Sequence, residues 1–265
     1  MPSKQDYLVQ TCSLPTEIRR VLTTLVVDRR GASDNAFMRT ECVLGYVDPD
    51  TVYRVGRKGL TPDAMAPLAD MPPALVPDFA VMDGSWESEI DYKNDDANIL
   101  GGNGRYVLPN DQRALNIPEV ESTPAHLAFY GCRLVKVRDT VSFDANAPLP
   151  VTIISIGKTY TSDYLSREEH GGGEFLEVHD RPHFHMPLDK KATGHMLVGK
   201  TGADGVRVLS AFRIPLGYGF LTPPWAIHAD SHLIGRFLVV YSVAKHFSTV
   251  IIRRSTGELA SIKIV

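Results

Sequence analysis

The chain has 265 residues, a formal charge of -3 and a pI near 6.3, with 43% hydrophobic and 22% charged residues. That length can bury a full core, as one large β domain or two smaller units. The charge balance argues against a dedicated nucleic-acid or polybasic membrane binder.

The longest apolar runs, such as Phe237 to Tyr241, fall far short of the ~20 residues that span a bilayer. The start, MPSKQDYLVQ, lacks the apolar core of a secretion signal. Cys12, Cys42 and Cys132 are odd in number and widely spaced, so they suggest neither a disulfide framework nor a zinc-binding cysteine pattern. A cytoplasmic protein with reduced, structural thiols is the expectation.

Taken in order, residues 15–27 (PTEIRRVLTTLVV) open as a short helix, with Ser13 as N-cap and Pro15 in the first turn; the β-branched end leaves a strand as the alternative. Short strands follow at 42–47 and 51–55. The prolines at 62, 67, 72, 73 and 77 make 60–83 loop-rich, and the polar, Gly/Asn/Asp-rich stretch 84–103 reads as surface turns, a boundary or an active-site lid. Strands resume at 104–108, 126–137 and 150–156. The last third reads as a strand from Glu174 to His185, then 195–198, 206–214, 219–222, 237–243 and 248–254. A final strand, 258–265, closes a hairpin through Ser255–Gly257. Short strands at close intervals with Gly/Pro turns indicate an antiparallel sandwich or barrel.

The stretch Glu177-Val-His-Asp-Arg-Pro-His-Phe-His185 carries the chemistry. If it is extended, Glu177, His179, Arg181, His183 and His185 share one face. Unpaired buried polar groups cost roughly 1–3 kcal/mol each, so such a row calls for compensation, and a metal with the polar ligand it activates is the cheapest form. Glu177 can ligate or act as a general base, and Arg181 can clamp a substrate carboxylate through its planar fork. No dinucleotide fingerprint, P-loop or nucleophile elbow occurs.

Residues 174–254 resemble the cupins, small jelly-roll barrels that hold a metal inside. The family's second motif, G-x5-P-x-G-x2-H-x3-N, is matched by Gly217, Pro223 and His228, with Trp225 at the second Gly and His232 at the Asn. In the first, G-x5-H-x-H-x3,4-E-x6-G, His183 and His185 supply the H-x-H. Asp189 or Lys190 stands at the Glu position counted forward, and His195 stands there counted back from Gly202.

The resemblance implies a four-histidine site of His183, His185, His195 and His228, with Asp189 or Glu177 as competitors for the place of His195. Glu177, His179 and Arg181 are then the catalytic candidates. It further implies an all-β fold with a cupin-type barrel at 150–265 and a β-rich region at 1–149, packed on it or forming a degenerate second cupin. The expected function is a metal-dependent enzyme on a small, anionic organic molecule, first a non-haem Fe(II) oxygenase. The alternatives are an isomerase, lyase or hydrolase using Zn(II), Mn(II) or Ni(II), or a non-catalytic small-molecule-binding barrel. No nucleic-acid or membrane partner is expected, and a homodimer stays open.

Overall fold

A computed structural model describes residues 14–88 and 103–265. Cys12, Ser13 and most of the 84–103 stretch read as a boundary or lid lie outside the described residues. The fold is all-β and jelly-roll-like, with a strongly curled sheet that forms a half-barrel. Among the described residues no helix is long and apolar enough to cross a membrane.

Two sheets build the barrel. In order of neighbours, the first runs Asp28–Arg30, Phe37–Val47, Leu149–Ile156, Leu233–Val240, His183–Pro187, Tyr218–Thr222 and Arg133–Lys136. The second runs Ala80–Met82, Arg207–Phe212, Met196–Thr201, Ile227–Ala229, Phe175–His179, Phe247–Arg253, Asn103–Val107 and Ser85–Glu87. Leu149–Ile156 is buried along its whole length, as a continuous apolar run in a central strand should be. Its pairing with Phe37–Val47 slips at Val151/Thr152 and again at Ile153/Ile154. Such irregularities bend a strand and increase its twist, which suits the curl of the sheet.

The region before residue 149 contributes strands to both sheets. Phe37–Val47 joins the first sheet, and Asn103–Val107 runs parallel to Phe247–Arg253 in the second. Tyr53–Val55, Leu60–Pro62 and Thr140–Val141 form a small three-stranded sheet. Tyr53, Val55, Val141 and Phe143 from this part pack with Phe184 and Met186 in one apolar cluster. Since neighbours on a strand point to opposite faces, covering Phe184 and Met186 outside turns His183 and His185 toward the interior.

Three expected elements differ. The span 126–137 is a helix, Pro124–Phe129, followed by a strand, Arg133–Lys136. Pro124 presets the first turn and Thr123 caps it by accepting from the His126 N–H at 3.1 Å, which outweighs the apolar run that reads as strand. Glu174 to His185 is two strands, not one, and they lie in opposite sheets. The final hairpin reduces to a single bridge, Arg253 to Leu259, because Ser261–Ile264 leaves to pair in parallel with Ala114–Ile117. The opening helix spans Thr16–Leu25 after Pro15, with no side-chain cap among the described residues.

Candidate metal centre

The break at Asp180–Pro182 creates the site. The chain leaves the second sheet after His179, turns, and enters the first sheet at His183, so the two strands face each other across the interior. Hydrogen bonds pin the corner: the Asp180 N–H donates to the His246 carbonyl at 3.0 Å, and the Trp225 N–H donates to the His179 carbonyl at 2.8 Å. Within the second sheet, Glu177 sits directly opposite His228 on the neighbouring strand.

These constraints bring Glu177, His179, His183 and His228 together, each with a donor atom within 4.8 Å of the others'. The ring centroids of the three histidines lie 4.5, 4.6 and 4.7 Å apart pairwise. Nε2 of His228 is 3.2 Å from Nδ1 of His183 and 3.3 Å from Oε1 of Glu177. All three imidazoles are buried and Glu177 is half-buried.

This donor set could hold a metal ion. The other nitrogen of His228, Nδ1, lies 3.0 Å from the Ala226 carbonyl, which can only accept. That places a proton on Nδ1 and, in the neutral ring, leaves the Nε2 lone pair facing the cluster, the usual way a ligand histidine is oriented. Burial pushes His179 down to about 4, and neighbouring His228 pushes the same way. Burial, with the three surrounding rings, holds His183 well below its ordinary value. Both are therefore neutral near pH 7, with lone pairs to offer. Burial opposes charge on His228 too, but the hydrogen bond and charge of Glu177 outweigh it and raise that pKa. One contact opposes ligation: the Arg181 N–H lies 3.3 Å from Nδ1 of His179. It is at the weak end of hydrogen-bond geometry, and a neutral His179 ligating through Nε2 would have to give it up.

The other expected ligands lie elsewhere. His185 shares the inward face of His183, but its Nε2 is 3.3 Å from Oδ2 of Asp230. His195 points to Glu119, Nε2 to Oε2 at 2.8 Å, and Glu119 also takes Nε of Arg213 at 2.7 Å. An ion pair at the barrel surface thus holds the residue that motif spacing sends inward. Asp189 accepts from the Lys191 N–H in a turn at 2.8 Å. Arg181 is buried at the corner, where its Nη1 donates to the Asn146 side chain and its Nε to the Val243 carbonyl at 3.4 Å. It lines neither of the two cavities beside the cluster.

The sequence held a signal for the observed set. Laid from Gly171, the spacing of the first motif reads Gly171, five residues, Glu177, one residue, His179, three residues, His183. Glu and His exchange places in that frame, and Lys190 stands at the final Gly. A Cβ on Gly171 would come within 2.4 Å of the Leu165 backbone, so glycine is required there. In the second motif Trp225 takes φ 69°, the left-handed backbone that a glycine at that position would supply. Arg29, Asp230 and Thr249 also lie close to the centre and belong to no motif. In comparisons with known proteins, no family model, curated protein or solved structure matches the chain.

Proposed function

We propose that this chain is a metal-dependent enzyme of the cupin type. On this reading one divalent cation is held by Glu177, His179, His183 and His228, and the substrate is a small, anionic organic molecule. The observation that carries the proposal is the convergence of these four donors, from two facing sheets, on one buried point. The two motif spacings, from Gly171 and from Gly217, support the family reading.

The donor set guides the chemistry. Three neutral imidazoles and one carboxylate leave a divalent ion with net positive charge, and an ion that prefers six ligands keeps positions open. When bound, Fe(II) in such a nitrogen–oxygen site would supply oxygenase chemistry, and Zn(II), Mn(II) or Ni(II) would supply Lewis-acid chemistry. We favour the oxygenase, because imidazole and carboxylate with open positions is the usual setting of non-haem Fe(II). The protein's own part is positional. The Ala226 carbonyl orients His228, the corner bonds at Asp180 and Trp225 fix His179 relative to His183, and burial keeps His179 and His183 unprotonated.

Elemental analysis of protein purified without oxygen tests the centre, with about one equivalent of metal per chain expected. An absence of stoichiometric metal after loading with Fe(II), Mn(II), Ni(II) and Zn(II) in turn would sink it. Oxygen uptake by the Fe(II) form with a panel of small enolisable acids tests the reaction. Turnover with Zn(II) or Mn(II) and no oxygen uptake would move the protein to Lewis-acid chemistry.

A further inference from the structure

The cluster borders a cavity of about 110 Å³, with Glu177, His179 and His183 in its wall. The same wall carries three hydroxyls, from Thr24, Ser242 and Thr249, beside the Phe247 ring. Among the described residues it holds no lysine or arginine. A second cavity, of about 60 Å³, shares Glu177 and His183 but is mostly apolar, with Leu25, Val27 and Phe175 facing it. Its arginine, Arg29, already donates to the Tyr160 hydroxyl at 2.9 Å.

Thr249 differs from the other two hydroxyl residues in its place on the sheet. It lies directly opposite Glu177 on the adjoining strand, and Glu177 in turn lies opposite His228. Directly opposed residues of antiparallel strands project to the same face, with Cβ atoms about 4.5–5.5 Å apart. Thr249, Glu177 and His228 therefore form one inward row across three strands. Thr249 is 1% exposed, and its hydroxyl has no hydrogen-bond partner among the described residues. A buried hydroxyl left unpaired is destabilising, so this one calls for a water or a ligand atom in the cavity it faces. Thr222 gives the contrast: its hydroxyl is also buried and unpartnered among the described residues, but it lines neither cavity.

We propose that Thr249 is a specificity-determining residue whose hydroxyl binds an oxygen of the substrate, and that the substrate is a small hydroxy acid. A hydroxyl both donates and accepts, so a hydroxyl-lined wall matches a substrate hydroxyl, which does the same. The carboxylate finds no cationic side chain in this wall and goes to the metal. At roughly 10–15 Å³ for each water-sized group, the cavity takes about seven non-hydrogen atoms or more, which is larger than lactate. Placing the carboxylate rests on the metal-centre reading, whereas recognition of the hydroxyl by Thr249 does not.

The test therefore begins with metal-free protein, with lactamide and propionamide as probes in ligand-observed NMR. Both are uncharged, and they differ by one hydroxyl. Lactamide is expected to bind about three- to tenfold more tightly, as one hydrogen bond to an otherwise unpaired group should provide. Thr249→Val should erase the difference, Thr249→Ser should keep it, and Thr222→Val should leave it as in wild type. Thr249→Val should also melt at the wild-type temperature or above, since it removes an unpaired polar atom. Equal binding of the two probes, no binding of lactamide, or a preference that survives in Thr249→Val would overturn the assignment and leave the hydroxyl to a water. A Val variant that melts well below wild type would overturn it too, by giving the hydroxyl a structural role. In Zn(II)-loaded protein lactate and propionate should repeat the pattern, with Thr249→Val lowering the preference for lactate by the same factor. A protein that prefers lactamide through Thr249 but takes up no metal would refute the centre and leave the hydroxyl site standing; one that takes up metal and shows no preference would do the reverse.

Discussion

Nε2 of His228 lies 3.2 Å from Nδ1 of His183, although 45 residues and two different sheets separate them. Nothing local brings these rings together; the fold does, and Glu177 closes the group from the strand beside His228. We expect His183→Ala and His228→Ala each to abolish stoichiometric metal binding and to remove the thermal stabilisation that added metal provides to the native state. Glu177→Gln should weaken metal by about 10- to 100-fold or more, since it removes a charged ligand. His195→Ala should retain full metal, because its partner is Glu119. Metal content measured on gel-filtered variants decides this, and loss in His195→Ala with retention in His183→Ala would reverse the site.

Proton and metal compete for the same atoms, which gives the centre a signed pH dependence. His179, pushed down to about 4, and His183, held well below its usual range, carry no proton near neutrality. His228, raised by Glu177, does carry one until the pH exceeds its elevated value. Metal affinity should therefore fall as pH drops through that value, with release of about one proton per ion bound, and fall more steeply near pH 4. Calorimetry in buffers of different ionisation enthalpy reads the proton count directly. The metal-free protein has a linked dependence. A histidine with a lowered folded pKa leaves the unfolded chain binding more protons between its ordinary 6.5 and about 4. Stability should therefore decline as pH falls through that window. At about 1.4 kcal/mol per unit, His179 alone accounts for roughly 3 kcal/mol. Denaturant midpoints that stay flat from pH 7 to 4 would contradict it.

Much of the fold is legible because buried strands announce themselves: Leu149–Ile156 is apolar throughout and could be little else in a β-rich chain. The centre is legible in part, since the sequence points to Glu177 and His179 as catalytic candidates and to His183 and His228 as ligands, and the structure brings all four into one cluster. Alternation runs unbroken from Glu177 to His185, so nothing in the pattern marks the change of sheet at Asp180–Pro182. A shared face is also not a shared site. Residues two apart on a strand stand ~7 Å from each other, enough for His183 to join the cluster while His185 meets Asp230. His195 shows the opposite limit, because its partner Glu119 lies 76 residues away and no spacing rule reaches it.

Arg181 is placed to hold the corner on which the centre depends. Its guanidinium is buried against Asn146 and the Val243 carbonyl, 3.8 Å from Asp180. Buried hydrogen bonds of a charged group contribute about 1.5–3 kcal/mol, and we expect Arg181→Ala to destabilise the protein by an amount of that order. Metal per folded chain should change little in Arg181→Lys, and so should the binding of small carboxylates. Equilibrium unfolding beside ligand titration separates this from a substrate-clamping role. Unaltered stability with lost carboxylate binding would return Arg181 to the pocket.

Trp225 occupies a glycine position of the second motif and pays for it in backbone strain. Its φ of 69° lies in the left-handed region, which costs a residue with a Cβ about 1–2 kcal/mol. The ring does little to offset this, being 59% exposed. What the site uses is the backbone: the Trp225 N–H donates to the His179 carbonyl at 2.8 Å and so helps fix a proposed ligand. Glycine keeps that N–H and relieves the strain, against about 0.5–1 kcal/mol of added freedom in the unfolded chain. We expect Trp225→Gly to be neutral or stabilising by up to about 1 kcal/mol, with metal content intact. Trp225→Pro, which lacks the N–H and cannot adopt positive φ, should lower both stability and metal occupancy. Thermal melts with parallel metal analysis measure both. A Gly variant that loses metal while remaining folded would show that the indole itself supports the centre.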